Sequence, residues 1–277
     1  MRVNKKHLNN FLRYAVLIIV SVLFLYPFAW LLSTSLKANT QIFIFPPVWI
    51  PNPVRFSNYV DAFTTIPYMS YLVNSCVVVI FALLGEVLSA PVVGYAFSKL
   101  RWKGRDKVFL LVLATMMLPF QVVMIPLYSM YAKLGLINTY LPLMLPDFFG
   151  KAYFVFLMRQ FFLTIPEDIS DSGRIDGASE FRIFTSLVLP LARPALVSVI
   201  LFTFVWSWTD FLGPLIFLTD SSRWTISIGL SQFTVNHGMN WALLMAGSTI
   251  FMIPMVILFC LLQRTFIEGI TVTGMKE

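Results

Sequence analysis

Six long apolar runs constrain the fold of this chain more than any other feature. The chain has 277 residues, of which 58% are hydrophobic and 12% are charged, about half the charge of a soluble globular domain. Each run approaches the about 20 residues that a helix needs to cross a bilayer core. The runs cover residues 14–32, 72–97, 108–127, 141–162, 195–218 and 241–262. We therefore predict an all-α polytopic membrane protein with six transmembrane helices.

The basic residues indicate how these spans are oriented. Most lie before the first span, between the second and third, and between the fourth and fifth: Arg2, Lys5, Lys6, Arg13, Lys99, Arg101, Lys103, Arg105, Lys107, Arg159, Arg174, Arg182 and Arg193. The opposite loops hold Lys37, Arg55, Lys133 and Arg223. Because basic residues accumulate in cytoplasmic loops, both termini are predicted to be cytoplasmic. This bias explains the net charge of +7, and we predict no binding to nucleic acid.

Motifs for catalysis and metal binding are missing from the sequence. A phosphate-binding G-x-x-x-x-G-K-[ST] loop is absent, since Gly150-Lys151 has neither the upstream glycine nor the following hydroxyl residue. The sequence also lacks H-E-x-x-H, and its two histidines are far apart. Cys76 and Cys260 fall inside predicted spans, where they are expected to pack as small apolar residues. We predict a non-catalytic protein with no metal site and no cofactor of its own.

A polar segment, residues 165–194, separates the fourth and fifth runs. Thr164 and Glu167 fit a capping box, which predicts a short acidic helix from about residue 165. If that helix continues, Gly173 and Gly177 share a face and leave a bare patch for another surface; otherwise Gly177 ends the helix. The apolar residues that follow have helical spacing but are too few to span lipid, which predicts a second short helix. Spacing alone leaves open an amphipathic loop on the membrane and a docking site for a soluble partner.

Several short motifs follow one another in the order of a known family. Within the polar segment they are Asp176-Gly177-Ala178, Phe184, Leu189-Pro190-Leu191 and Pro194. Elsewhere they are Asn74-Ser75, Tyr95 to Arg105, Met117-Leu118-Pro119, Leu134-Gly135-Leu136, Trp206 to Phe211 and Gln263 to Lys276. The chain thereby resembles a binding-protein-dependent ABC importer permease. Within this family it resembles the second permease of the maltose-type carbohydrate branch. One departure is the opening Asp171-Ser172-Gly173, where the family usually has Glu-Ala-Ala.

The resemblance implies the type I ABC importer fold, in which the polar segment forms a cytoplasmic coupling helix between spans four and five. It assigns coupling to an ATPase to Glu167, Asp171, Gly173, Asp176, Gly177, Ala178, Phe184, Leu189 and Pro190. It assigns contacts of the tail with the ATPases to Glu268, Gly269 and Thr271. The implied partners are a second homologous permease, two cytoplasmic ATPase subunits that bind ATP and Mg²⁺, and an extracytoplasmic solute-binding protein.

The same resemblance divides the chain into three parts. Residues 1–68 comprise an N-terminal cytoplasmic tail, the first transmembrane helix and an external loop. Residues 69–263 form the permease core, with five helices and the coupling loop, and residues 264–277 form a cytoplasmic C-terminal tail. The implied location is the inner, cytoplasmic cell membrane.

Polar groups at membrane depth are the candidates for a substrate pathway, because an unpaired charge in lipid costs several kcal/mol. Asp147 and Lys151 are four residues apart and are predicted to pair along one helix face. Aromatic rings beside hydrogen-bonding groups suit a sugar. The candidates are Gln121, Lys151, Tyr153, Trp206, Trp208 and Asp210. The predicted function is import of a di- or oligosaccharide or a related polyol; the alternative is an ion-coupled secondary transporter.

Overall fold

All regular elements in the described part of the chain are helical. The structure is a computed structural model that describes residues 5–235 and 239–274, with side chains for residues 9–235 and 239–265. The α-helices are α1 (Lys5–Ser35), α2 (Ser57–Thr65), α3 (Tyr68–Ser98), α4 (Arg105–Thr115), α5 (Phe120–Lys133), α6 (Leu141–Met144), α7 (Ala152–Thr164), α8 (Glu167–Ile175), α9 (Glu180–Ile183), α10 (Leu189–Leu191), α11 (Arg193–Thr209), α12 (Leu212–Phe217), α13 (Ile226–Val235) and α14 (Trp241–Gly274). Short 3₁₀-helices cover Asn39–Gln41, Leu145–Phe149 and Ser221–Arg223, and one π-helical turn covers Phe184–Val188.

Four helical segments are long and apolar enough to cross a membrane: Asn9–Ser35, Tyr68–Ser98, Leu141–Thr164 and Trp241–Thr265. Two bent pairs of helices also pass the test of length and composition, which gives up to six spans if each pair is one span. The helices α4 and α5 meet at 95°, and Glu180–Leu191 meets α11 at 79°. The predicted fold class, an all-α membrane protein, is thereby confirmed.

Three predicted spans differ from the structure in their continuity. The run 141–162 is divided into α6, the 3₁₀-helix Leu145–Phe149 and α7. The run 108–127 is broken, because α4 ends at Thr115 and Pro119 precedes α5 in an extended conformation with ψ 142°, where a proline also cannot donate a backbone hydrogen bond. The run 195–218 ends early, because Asp210 is extended, with ψ 120°, after α11. A separate short helix, α12, then follows.

The contacts divide the chain into two compact units. The first contains the chain up to Tyr68 together with Gly229–Ile253, and the second contains Met69–Ile228 and the chain from Pro254 onward. In the first unit, the Tyr68 hydroxyl donates to the Gly247 carbonyl at 2.8 Å, and the buried ammonium group of Lys37 lies 3.9 Å from the centre of the Trp30 ring. The most apolar window of α1 has none of its residues buried within the protein, which leaves this helix available to lipid.

The main core of the second unit joins α7 to the polar segment. Phe154, Met158 and Phe162 on one face of α7 are fully buried, and they pack with Ile183 and Val188 from beyond the turn of the polar segment. The spacing of four residues along α7 puts its three side chains on one stripe. The polar segment is therefore anchored by its second half, while its first half carries the charges.

Candidate functional site

The first helix of the polar segment is held in place from outside that helix. It begins at Glu167, follows Pro166 and has no side-chain cap. The predicted capping box is wrong, because Thr164 is still the last residue of α7 and its hydroxyl donates back to the Phe161 carbonyl at 2.7 Å. The Glu167 carboxylate instead pairs with the Lys99 ammonium at 3.3 Å. This ion pair ties the start of α8 to the residue that follows α3.

Gly177 ends the first helix of the segment. Its φ of +76° lies in the left-handed region, which favours glycine because a Cβ is strained there. The Gly177 amide donates to the Arg174 carbonyl at 3.0 Å and the Ala178 amide donates to the Gly173 carbonyl at 2.9 Å. These two bonds form a Schellman motif, the common C-terminal cap of a helix. The sequence left open whether the helix continues through Gly177 or ends there, and in the structure it ends there.

Gly173 is a point of close internal packing. A Cβ added to it would lie 2.9 Å from Leu187 Cδ1 and 3.0 Å from Ile183 Cγ1, whereas one added to Gly177 would meet no atom within 4 Å. The interpretation that both glycines share a bare face for another surface is therefore wrong. The turn at Gly177 folds the next helical stretch back onto α8, and this stretch covers Gly173.

The second half of the segment is mostly core. The rings of Phe184 and Tyr95 have centroids 5.0 Å apart, and Phe184 also contacts Phe162 with centroids 6.4 Å apart. Leu189 packs against the same core, and Pro190 lies in the helical stretch that continues from α9 through the π-helical turn into α10. The predicted coupling residues Phe184, Leu189 and Pro190 therefore join the segment to the bend before α11.

Arg174 is the centre of an ion-pair network on the surface of the segment. Its guanidinium lies 2.7 Å from Asp171, 2.8 Å from Glu180 and 3.4 Å from Glu167. The hydrogen bonds to Glu180 and Asp171 raise the pKa of the Arg174 guanidinium, so it remains charged throughout the physiological range. Tyr95 extends the network into α3, because its hydroxyl lies 2.9 Å from Glu180 Oε2. We call Arg174, Glu167, Asp171 and Glu180 the arginine network. Two predicted coupling residues, Glu167 and Asp171, thus form ion pairs within the segment.

Two apolar side chains project from the tip of the segment. Ile175 is 86% exposed and Phe181 is 74% exposed, and they flank the turn at Asp176 and Gly177. Sequence reasoning missed both as site residues, although apolar side chains on either side of a glycine turn in an otherwise polar stretch were a usable signal. Burial of these two side chains against a partner would remove their apolar surface from water.

A second cluster of charges lies in the spans. Asp147 Oδ1 is 2.5 Å from Lys151 Nζ, and the Lys151 backbone N–H donates to Glu86 Oε1 at 2.9 Å. Both carboxyl groups are buried. The predicted pairing of Asp147 with Lys151 is confirmed, but the two do not share a helix face: Asp147 belongs to the 3₁₀-helix Leu145–Phe149 and Lys151 precedes α7. Gly150 separates them with a φ of +75°. We call Glu86, Asp147 and Lys151 the buried triad.

Aromatic rings lie on α7 and α11 close to the buried triad. The ring centroids of Tyr153 and Trp206 are 5.3 Å apart, and those of Phe154 and Trp206 are 5.1 Å apart. Trp206 is 43% exposed. Asp210, one turn beyond Trp206, lies within electrostatic range of Lys151 and accepts the Gly213 backbone N–H at 3.1 Å. The structure thus brings together Lys151, Tyr153, Trp206 and Asp210 of the predicted pathway set.

The remaining predicted residues lie elsewhere. Trp208 is buried and stacks on Phe204, with ring centroids 5.5 Å apart, and Gln121 is exposed in the first turn of α5; their assignment to the pathway stays a prediction. The predicted tail contacts lie outside the part of the chain for which side chains are described; they are Glu268, Gly269 and Thr271.

Comparison with known proteins identifies the family. Residues 87–271 match the family model of the binding-protein-dependent transport system inner membrane component. The chain belongs to this family. It is 35% identical over 263 residues to the arabinooligosaccharides transport system permease protein AraQ of Bacillus subtilis (strain 168), covering 93% of this chain and 92% of that protein. It is 30% identical over 281 residues to the inner membrane ABC transporter permease protein YcjP of Escherichia coli (strain K12), covering all of both.

A further relative agrees with this assignment, and a solved structure has the same fold. The chain is 30% identical over 254 residues to the diacetylchitobiose uptake system permease protein NgcG of Streptomyces coelicolor, covering 91% of this chain and 84% of that protein. Its fold matches a chain of a bacterial ABC transporter involved in the import of the acidic polysaccharide alginate, with a TM-score of 0.81 over 96% of this chain and 99% of that chain at 22% identity. The family resemblance seen in the sequence is confirmed, and the alternative of an ion-coupled secondary transporter finds no support. The protein is a membrane-embedded permease subunit.

Proposed function

We propose that this chain moves a saccharide across the membrane as the non-catalytic permease subunit of an ATP-driven importer, with both termini in the cytoplasm. The coupling part of this proposal rests on the polar segment. The arginine network and Lys99 hold this segment in place, and the apolar side chains of Ile175 and Phe181 are exposed at its tip. Partner ATPase subunits bind ATP and Mg²⁺, a second homologous permease completes the pore, and an extracytoplasmic binding protein delivers the substrate. The tail residues Glu268, Gly269 and Thr271 reach towards the ATPases.

The contacts of the polar segment explain how motion passes through it. Ile175 and Phe181 enter an apolar cleft of an ATPase subunit, where their burial supplies affinity. Since α8 is tied to the end of α3 through Lys99 and Glu167, and the second half packs on α7, a displacement of the tip moves two spans together. A close-packed core transmits such a shift because it has little room to deform. The segment therefore acts as a rigid lever.

The saccharide part of the proposal rests on the relatives and on the aromatic group. The related permeases are named for arabinooligosaccharides and diacetylchitobiose. Sugar rings present apolar C–H faces and hydroxyl groups, which suit aromatic faces and polar side chains respectively. The Trp206 indole offers the face, and Lys151 and Asp210 offer a donor and an acceptor. We propose that these three residues contact the saccharide during passage.

Charged substitutions at the tip test the coupling. In Ile175→Asp/Phe181→Asp, we expect the ATPase to be lost on co-purification and saccharide uptake to fall to background, since two carboxylates cannot enter an apolar cleft without a large desolvation cost. The matched control is Ile50→Asp in the loop between α1 and α2, where the side chain is 83% exposed and no ATPase contact is expected. Normal uptake by the tip variant would refute the lever.

An aromatic substitution tests the saccharide contact separately. For Trp206→Ala in proteoliposomes supplied with the cognate binding protein and its saccharide, we expect uptake to fall about tenfold while the ATPase still co-purifies, because one stacking contact contributes about 0.5–1.5 kcal/mol beyond area burial. The control is Trp102→Ala, a tryptophan of similar exposure, 39%, in the loop between α3 and α4. Equal uptake by the two variants would contradict the contact.

A further inference from the structure

Two buried oxygen atoms in the buried triad have no hydrogen-bond donor among the described residues. They are Glu86 Oε2 and Asp147 Oδ1, and both carboxyl groups contact Lys151, Glu86 through the backbone N–H and Asp147 through the ammonium group. Asp147 Oδ1 has the Lys151 ammonium as its ion-pair partner at 2.5 Å, whereas Glu86 Oε2 has no partner of either kind among the described residues. Buried acceptors without donors are rare and costly. Two such atoms on carboxyl groups that contact the same lysine indicate one missing hydrogen.

The charges lead to the same conclusion. The triad has one ammonium group for two carboxyl groups, and the nearby Asp210 is already occupied by the backbone N–H of Gly213. A second carboxylate would be an uncompensated charge in the spans, next to a like charge. Neighbouring buried carboxyl groups relieve this repulsion by sharing a proton. Asp147 holds the ion pair with Lys151, so Glu86 is the group left without a counter-charge.

We infer that Glu86 is a neutral carboxylic acid that donates a hydrogen bond from Oε2 to Asp147 Oδ1, and that the two act as positioning residues for Lys151. One proton satisfies both oxygen atoms and makes the triad electrically neutral. Glu86 Oε1 remains free to accept the Lys151 backbone N–H. A single side chain on α3 therefore holds both the side chain of Asp147 and the backbone next to α7.

The surrounding contacts show why such a clamp is useful. The chain turns at Gly150, and α3 packs directly against the turn: a Cβ on Gly85 would lie 2.9 Å from the carbonyl carbon of Asp147, and Ser89 Oγ donates to the Asp147 carbonyl at 2.8 Å. The Lys151 side chain is 37% exposed at this turn. The clamp fixes the point from which the ammonium reaches outward. This role rests on the proposed function, in which Lys151 contacts the saccharide.

Infrared spectroscopy locates the proton independently of transport. A protonated carboxyl group absorbs at higher frequency than a carboxylate, so the whole transporter in nanodiscs should show a buried carboxylic acid band. We expect Glu86→Gln to remove this band and Asp210→Asn, the matched control at another membrane-depth acid, to keep it. A band that survives in Glu86→Gln, or one that disappears only in Asp147→Asn, would overturn the assignment of the proton to Glu86.

Uptake assays test the positioning role. Glutamine keeps the size of Glu86, its neutrality and a hydrogen-bond donor, so uptake by Glu86→Gln should stay within about twofold of the unmodified protein. Glu86→Ala removes the clamp, and uptake should fall at least about tenfold at unchanged ATPase co-purification. If Glu86→Gln is as impaired as Glu86→Ala, a charged Glu86 is required and the inference fails. If the unmodified protein carries no saccharide, the proposed function fails while the infrared result still decides the protonation.

Discussion

The arginine network and the buried triad use the same chemistry in two different solvents. In the network, a guanidinium that is about one-third exposed meets three carboxylates at 2.7–3.4 Å; in the triad, one ammonium meets one of two buried carboxyl groups at 2.5 Å. Water and salt screen the first set. The low dielectric of the spans strengthens every charge interaction in the second and penalises any charge left over. The network can therefore tolerate three acids around one cation, whereas the triad requires a proton.

The largest expected effect comes from removing the cation of the triad. Lys151→Met leaves the Asp147 carboxylate buried and unpaired, and breaking a buried pair in this way costs about 3–5 kcal/mol. We expect a marked drop in the thermal unfolding temperature of the purified transporter and in its accumulation in the membrane. Lys151→Arg, the matched control, keeps the charge and should fold.

The double variant Lys151→Met/Asp147→Asn sharpens this test. Because it removes the anion together with the cation, it should recover most of the unfolding temperature lost in Lys151→Met. A double variant as unstable as the single one would mean that packing, and not charge, accounts for the loss. The buried triad would then resemble the arginine network in its energetics.

Gly173 tests whether the lever is rigid. The Cβ of Gly173→Val would overlap Leu187 and Ile183, and overpacking of this kind costs about 1–3 kcal/mol. We expect a lower unfolding temperature and reduced ATPase co-purification, since α8 must move away from the second half of the segment. Ser172→Ala, at the exposed neighbouring position, should have little effect. An unchanged Gly173→Val would show that the two halves move independently.

The sequence predicted the spans better than their interruptions or their pairings. Hydropathy places helices because every backbone group in lipid must bond within its own segment, and this requirement is visible in a single run of residues. The break at Pro119 and the early end at Thr209 depend on local backbone geometry, which composition does not reveal. Glu86 was recognisable as a charge at membrane depth, but its contact with Asp147 joins residues from different helices, and no local pattern encodes that. The arginine network depends in the same way on the turn at Gly177.

Substitutions at Gly177 distinguish the cost of a left-handed backbone conformation from the loss of a contact with the ATPase. In Gly177→Ala, the left-handed backbone at φ +76° costs about 1 kcal/mol of folding stability, although the added Cβ meets no atom within 4 Å. Asparagine tolerates this region better, so Gly177→Asn should unfold at a higher temperature than Gly177→Ala. If both also lose ATPase co-purification to an equal extent, the turn contacts the ATPase itself; if only Gly177→Ala does, its role is to end the helix.

The smallest effect is expected at the arginine network, and its salt dependence is the informative part. Arg174→Gln leaves three carboxylates near one another, but Glu167 keeps Lys99 and the others face water, so we expect a loss of about 1 kcal/mol at low salt. At about 1 M salt, where the Debye length falls to about 3 Å, most of this loss should vanish. The loss in Lys151→Met should persist under the same conditions, because the Asp147 carboxylate is buried and salt screens buried charges much less. Unfolding temperatures measured for both variants across a salt series therefore compare the two charge clusters directly, and parallel responses would mean that salt screens the Asp147 carboxylate as well.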